Sequence, residues 1–271
     1  MIDYHMSLGT TPTQSGPLHP HGSTVDHEEV AKFTAMAEAW WDPQGKFRPL
    51  HRLNPVRVEY IVDMVKKHFG GSEAADGSTT ATPLAGLAML DIGCGGGLLA
   101  EPLARLGAQV TGIDAAERNI AIARAHAEQT GTRITYLPCA AEDLLSGQQH
   151  GQQRFDVVLA MEVIEHVSDP AVFLATAAAL MKPNGLLFVA TLNRTVKSYA
   201  LAIVGAEYIM RWLPRGTHDW RKFMRPSEIA RPLRQAGLAI HDIAGVTYHP
   251  LSDRWQRSRD LDVNYMLCAS H

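Results

Sequence analysis

Cysteine is scarce in this sequence: Cys94, Cys139 and Cys268 are the only three in 271 residues. They are odd in number and far apart, which excludes a disulfide framework and fits a reducing compartment. No C-x-x-C pair occurs, so no zinc knuckle is indicated. Positive charge is not in excess either. Lys and Arg total 25 against 28 acidic residues, a formal charge of −3, and that balance does not favour a nucleic-acid partner. No apolar run reaches the roughly 18–20 residues that span a bilayer. The opening MIDYHMSLGTTPTQSGPLHPHGSTV lacks the basic start and apolar stretch of a secretory signal. It is rich in Pro, Gly, Ser, Thr and His, so residues 1–25 are expected to be a disordered tail. The resulting expectation is a cytoplasmic protein, with peripheral contact to the inner face of a membrane left open.

What is present is a change of pattern along the chain. DHEEVAKFTAMAEAWW places Val30, Phe33, Ala37 and Trp40 at helical spacing behind an Asp26 N-cap. Asn54-Pro55 reads as a second helix start, followed by VRVEYIVDMVKKHF with Val58, Ile61, Val62 and Val65 on its apolar side. Residues 26–69 are thus an N-terminal helical segment, and 70–86 a polar linker without periodicity. From 87 to 271 the short apolar runs AMLDIG, QVTGID, RITYLP, FDVVLAME and LLFVATL alternate with helical stretches. That alternation predicts an α/β fold with a mostly parallel sheet covered on both faces. LAIHDIAGVTYHP and DVNYMLCAS should close it as a C-terminal antiparallel hairpin.

The sharpest local signal is Asp91-Ile92-Gly93-Cys94-Gly95-Gly96-Gly97 at the end of the first strand. Glycines let backbone approach a ligand, and the helix that follows offers free N–H groups. Asp114 ends the second strand, where a carboxylate suits a ribose diol. A dinucleotide fingerprint, G-x-G-x-x-G, fits poorly: counted from Gly93 its third glycine falls on Leu98, and counted from Gly95 on Ala100, which leaves Asp91 unexplained. D-x-G-x-G-x-G fits at every position. An acid inside the turn suits a ligand with an ammonium group and no phosphates, as in S-adenosylmethionine. Glu142, after the third strand, is placed to accept from an adenine amino group; the alternative is a solvated loop acid or helix cap.

A second cluster stands in MEVIEHV, residues 161–167. It follows the fourth strand, at the carboxyl edge where α/β proteins place their sites. Read as a helix, Glu162, Glu165 and His166 share one face. Three readings stay open: a divalent-cation site such as Mg²⁺, a general base at His166, or a structural turn, with Asp169-Pro170 capping the next helix.

Together DHEEVAKF, WWDPQGKFRPLHRLNP, LDIGCGGG, MEVIEHV, TLNRT-x-KS, VGAEYI, LPRGTHDW and DVNYM resemble the ubiquinone-biosynthesis O-methyltransferases. The resemblance runs from about 25 to about 269 and implies a class I methyltransferase (Rossmann-like) seven-stranded sheet. It implies S-adenosylmethionine as cofactor, S-adenosylhomocysteine as product, and methylation of ring hydroxyls on polyprenylated catechol-type phenols or quinols, at both O-methylation steps. It assigns Arg57, Gly93, Asp114 and Met161 to the cofactor. Arg57 would fork onto the methionine carboxylate, and Met161 would pack on adenine. Asp91, Gly95 and Glu142 join them from the residue reading above. Some relatives are metal-dependent, and Glu162, Glu165 and His166 match their motif. The competing classes are a methyltransferase acting on another small molecule, RNA or protein, and a non-catalytic S-adenosylmethionine-binding module.

The stretch from about 193 to 223 is a long insert between strands. Its core, SYALAIVGAEYIMRWL, is apolar with Tyr and Trp. Arg194, Lys197, Arg211, Arg215, Arg221 and Lys222 flank it. It reads as an amphipathic lid, with 197–215 able to lie on an anionic membrane surface. His218, Asp219 and Trp220 are expected at the acceptor pocket. A biosynthetic complex is a further implied partner.

Overall fold

The computed structural model describes residues 23–70, 82–147, 153–201, 219–250 and 252–271. Helix α1 (His27–Thr34) starts where the Asp26 carboxylate accepts from the N–H groups of Glu28 and Glu29. It is shorter than its periodicity predicts. A separate 3₁₀ turn, Ala37–Ala39, carries the chain to Trp40, whose ring stacks on Phe47 at 3.8 Å. Tertiary packing of Trp40 wins over helical spacing there. Helix α2 (Arg48–Phe69) also departs from expectation. It starts at Arg48-Pro49, not at Asn54-Pro55, and runs through Pro55. Pro49 occupies the first turn, where a missing N–H leaves no bond unmade. Asn54 does not cap; its side chain donates to the Leu98 carbonyl at 2.6 Å. Arg57 therefore sits in the middle of a long helix, on a rigid mount.

The alternating half begins with β1 (Ala88–Ile92), α3 (Ala100–Arg105), β2 (Gln109–Ile113), α4 (Glu117–Thr130), β3 (Thr135–Leu137) and α5 (Ala141–Ser146). It continues with β4 (Phe155–Met161), α6 (Pro170–Ala179), β5 (Met181–Leu192), the short α7 (Val196–Ser198) and α8 (Pro226–Gln235). β6 (Ala239–His249), β7 (Arg254–Ser258) and β8 (Asn264–Ser270) end the chain. The sheet order is β3-β2-β1-β4-β5-β8-β6-β7. β1 to β5 pair in parallel, and β8 runs antiparallel to both β5 and β6. The expected closing pair is thus present, but the sheet has eight strands and not seven. The extra strand, β7, lies in the connection between β6 and β8 and pairs with β6. Asp253, at φ 47° in the turn, accepts from the Tyr248 hydroxyl at 2.7 Å and pairs with Arg48 and Arg52 of α2. These contacts fasten the added hairpin to that helix.

Side chains alternate between the two faces of the sheet, as a period of two requires. Met89, Val157, Leu159 and Phe188 face one cluster, shared with Leu53, Tyr60, Ile61 and Val65 of α2. Leu90, Val158, Ala160 and Val189 face the other, with Phe173, Leu174 and Ala177 of α6 and Ile229 and Leu233 of α8. Asp169 caps α6 by accepting from Ala171 and Val172 N–H, with Pro170 in its first turn, as expected. From β1 the chain moves outward to β2 and β3, then returns to lay β4 on β1's other side. That reversal opens a crevice at the carboxyl ends of β1 and β4, the place where open α/β sheets bind ligands. Among the described residues no helix is long and apolar enough to cross a membrane.

Candidate active site

A cleft occupies this crevice. The turns after β1, β2, β3 and β4 form its floor; α1, the 36–47 stretch and the start of α2 form its roof. The glycine turn is pinned by backbone bonds from Gly93 and Cys94 to the Ile113 carbonyl, at 2.8 and 3.0 Å. Asp114 helps to hold it: its carboxylate accepts from Gly95 N–H at 2.9 Å, Ala116 N–H at 2.8 Å and the Asn119 amide at 3.2 Å. Burial pushes its acid upward and these donors hold it down. Gly95 has φ +54°, and a Cβ there would stand 2.4 Å from the Trp40 ring. Only glycine lets Trp40 close over the turn. Met161 and Glu142 line the same cleft. One Glu142 oxygen accepts from the Thr24 hydroxyl at 2.6 Å, so an adenine amino group placed there shares this acid with Thr24.

Two buried groups of opposite charge are unsatisfied in the floor. Asp91 is 3 % exposed and Arg57 5 %. Asp91 Oδ2, Arg57 Nε and Arg57 Nη2 have no hydrogen-bond partner. Arg57 Nη2 is 3.1 Å from Glu162 Oε1, close enough for an ion pair but not aligned as a hydrogen bond. Burial pushes the Asp91 acid up to about 7; Arg57 opposes the shift and Asp114 adds to it. Buried polar groups are normally bonded. A carboxylate and a guanidinium with hydrogen-bonding capacity to spare, side by side, have the donor and acceptor sense to receive an amino-acid zwitterion, and these residues fit one.

The second cluster is arranged differently from the expected helical face. Only Ile164–His166 is helical, as a single 3₁₀ turn. Glu162 stands outside it at φ +58°, because its N–H still bonds the Ala190 carbonyl at 2.9 Å and continues the β4–β5 ladder. The three side chains therefore take separate partners. Glu162 meets Arg57. Glu165, 4 % exposed, accepts from the Thr191 hydroxyl at 2.8 Å. His166 Nδ1 stands 2.9 Å from Glu29 Oε2. Among the described residues no three His, Cys, Asp or Glu side chains converge as a ligand set for one ion. Burial and the Glu162 charge push the Glu165 acid up, against His166 and Thr191. Burial pulls the His166 pKa down, but Glu29, Glu165 and Glu162 together raise it above the ordinary imidazole value. Glu29 is held well below the carboxylate range, chiefly by His166.

Glu29 is a cleft residue that local sequence reasoning did not single out. Its contact with His166 spans 137 positions, and no local pattern encodes that. The N-terminal strap around it is ordered, contrary to the expected boundary of the tail. Thr24 is buried, Val25 bridges to Val167, and Asp26 and Glu29 both pair with Lys222 at 3.1 Å. Of the insert's core, residues 202–218, including Arg211, Arg215 and His218, lie outside the described residues. Its flanking cations are mostly engaged: Arg194 with Glu228, Lys197 with Asp260, and Arg221 with Asp219. Asp219 and Trp220 do not line the cleft. Asp219 caps the turn at Trp220–Lys222, and Trp220 Nε1 donates to the Thr195 carbonyl at 2.9 Å.

Comparison with known proteins shows the family and the fold. A family described as "Methyltransferase domain" matches residues 68–243. A ubiquinone biosynthesis O-methyltransferase of Paramagnetospirillum magneticum is 54% identical over 247 residues, covering 91% of this chain and 95% of that protein. One of the same name from Methylobacterium sp. strain 4-46 is 53% identical, covering 92% and 97%. Among solved structures, the magnesium protoporphyrin IX methyltransferase of Synechocystis PCC 6803 with bound SAH superposes with a TM-score of 0.57 at 20% identity, covering 90% of this chain and 95% of that one. A plantazolicin methyltransferase in complex with SAH gives 0.59 at 16% identity, covering 90% and 98%. At these identities the structural likeness shows the fold alone.

Proposed function

This chain belongs to the ubiquinone biosynthesis O-methyltransferase family, and on that premise we propose that it methylates ring hydroxyls of polyprenylated catechol-type phenols, at both O-methylation steps of the pathway, with S-adenosylmethionine as donor. That donor supplies a methyl group on a positively charged sulfur, which leaves readily. The protein has to hold it, align an oxygen with it, and dispose of the phenolic proton. The observation that carries the reading is the pair of unsatisfied buried charges, Asp91 and Arg57. Asp91 takes the ammonium of the methionine end and Arg57 forks onto its carboxylate. Asp114 takes the ribose diol, Glu142 the adenine amino group, and Met161 packs on the ring. Gly93 and Gly95 give the backbone room for this approach.

The Asp91 carboxyl has a consequence for pH. An ammonium partner needs the ionised form, and burial holds the acid near 7. Binding of S-adenosylmethionine is therefore expected to tighten as pH rises through about 7 and to weaken by about tenfold per unit below it. Calorimetric titrations across that range check this. Asp91→Asn should bind more weakly and lose the dependence.

His166 is the base for the phenol. Its Nδ1–H donates to Glu29, which leaves Nε2 free to accept. A second reading is favoured by the raised Glu165 acid next to Glu162: a buried carboxylate beside a half-buried one is relieved by a cation, and Glu165, Glu162 and His166 Nε2 would be the groups to hold Mg²⁺. As they stand, the side chains do not converge on one point, so no step is drawn through an ion. Methyl transfer to a short-chain prenylated catechol, assayed before and after rigorous chelation, tests both. Activity that survives chelation fits the base. Activity lost on chelation and restored by added Mg²⁺ favours the second reading, in which Glu162, Glu165 and His166 would hold an ion that lowers the phenol's pKa. No methyl ether under either condition contradicts the proposed function.

The acceptor's tail belongs in lipid, and the start of the insert suits contact with it. Val196, Tyr199 and Leu201 are 83%, 49% and 52% exposed. Flotation with anionic liposomes is expected to carry the protein upward, less so for Val196→Asp with Leu201→Asp. A protein that stays at the bottom with anionic lipid contradicts the membrane contact.

A further inference from the structure

One stretch of the cleft wall is used neither by the cofactor groups nor by the proton-handling groups. Beyond His166 it is made by Val30 and Phe33 of α1, then Met36, Phe47, and Pro49 and Leu50 at the start of α2. All six are apolar. Phe33 meets the His166 imidazole edge-on at 5.0 Å between ring centres, so the wall begins beside the group that takes the phenolic proton. At its other end Phe47 stacks on Trp40, which lies against the glycine turn. The wall is therefore continuous with both halves of the site.

It is also a satellite of the core and not part of it. Ala37, Trp40, Phe47 and Leu98 form a buried cluster apart from the two that flank the sheet, with Phe33, Met36 and Leu50 only partly buried against it. Apolar surface left facing a cleft is a standing cost that a hydrocarbon ligand removes. The exposed Lys46 on this stretch marks the side open to solvent. We infer that the first isoprene units of the acceptor's tail lie on this wall, and that Met36 and Leu50 set the preference for a prenylated over a bare catechol. This rests on the methyl-transfer reading above. An isoprene unit is branched hydrocarbon without a polar atom, and the unbranched, polarisable Met36 can follow it. A ring held at His166 then has an apolar exit for its substituent that does not cross the charged floor.

The test is a ratio measured on the full-length protein: kcat/KM for a geranyl-substituted catechol over kcat/KM for the same catechol with a methyl group in place of the chain. Wild type is expected to prefer the prenylated acceptor by about tenfold or more. Met36→Trp, which fills the wall, and Leu50→Asn, which makes it polar, should each cut the ratio by about tenfold. Melting curves identify a variant that fails to fold, and the other then carries the test. A ratio that stays at its wild-type value in a folded variant overturns the inference, as does equal use of both acceptors by wild type. Methylation of neither acceptor by wild type contradicts the methyl-transfer reading itself and removes this inference with it.

Discussion

His166→Asn is expected to lower kcat by roughly a hundred- to ten-thousandfold, the usual worth of a positioned general base, while S-adenosylmethionine binds almost as before. Asparagine is neutral, polar and near in size, but it cannot take the phenolic proton. The pH profile gives the argument its sign. Glu29, Glu165 and Glu162 hold the His166 proton on above the ordinary imidazole value, against burial. A base works only when neutral, so wild-type kcat should rise with pH through a value above 6.5. The asparagine variant should lose that step. Glu29→Gln removes the carboxylate that accepts from Nδ1 at 2.9 Å and should move the rise to lower pH. A variant with unchanged kcat would return MEVIEHV to a structural turn.

Arg57→Ala carries the second large effect. The guanidinium is buried, held on α2, and faces Glu162 at 3.1 Å. Its loss removes the fork for the methionine carboxylate and also strands Glu162 beside Glu165. Breaking a buried pair costs about 3–5 kcal/mol of stability, and this one, with Glu162 19% exposed, less. The lost charge-assisted fork, about 1.5–3 kcal/mol, should lower S-adenosylmethionine affinity by roughly ten- to a hundredfold, read by calorimetry, with a lowered melting temperature from the stranded acid. Arg57→Lys keeps the charge and loses the fork, so it should recover only part of the affinity. At saturating donor, kcat should change little, because Arg57 does not touch the transferring methyl group.

These two predictions show which parts of the site were legible in the sequence. Asp91, the glycines and Asp114 lie on adjoining strand ends, and short apolar runs mark such ends plainly. Their place at the cleft follows from local order alone. Arg57 is placed at the cleft from the wrong helix start: Pro55 resembles a first-turn proline, yet tertiary packing of Leu53, Val56 and Tyr60 carries α2 through it. The helical face expected of Glu162, Glu165 and His166 failed because Glu162 is still held in the β ladder. β7 was missed because RWQRS is short and polar, and its pairing depends on the Asp253 turn and its arginine partners. Glu29 and Thr24 were invisible, since their contacts with His166 and Glu142 exist only after folding. Sequence order reveals groups that neighbour each other along the strand ends; it conceals those that a distant strap brings over them.

The central claim is that the cleft floor reads a zwitterion, with Asp91 on the ammonium and Arg57 on the carboxylate. The most direct measurement is a binding cycle on wild type and Arg57→Ala, each titrated with S-adenosylmethionine and with its decarboxylated analogue, which keeps the ammonium and lacks the carboxylate. Wild type should bind the analogue more weakly, and the variant should bind the two ligands alike, a coupling of about 1.5–3 kcal/mol. Equal weakening of both ligands by the substitution, with no coupling, would contradict the account.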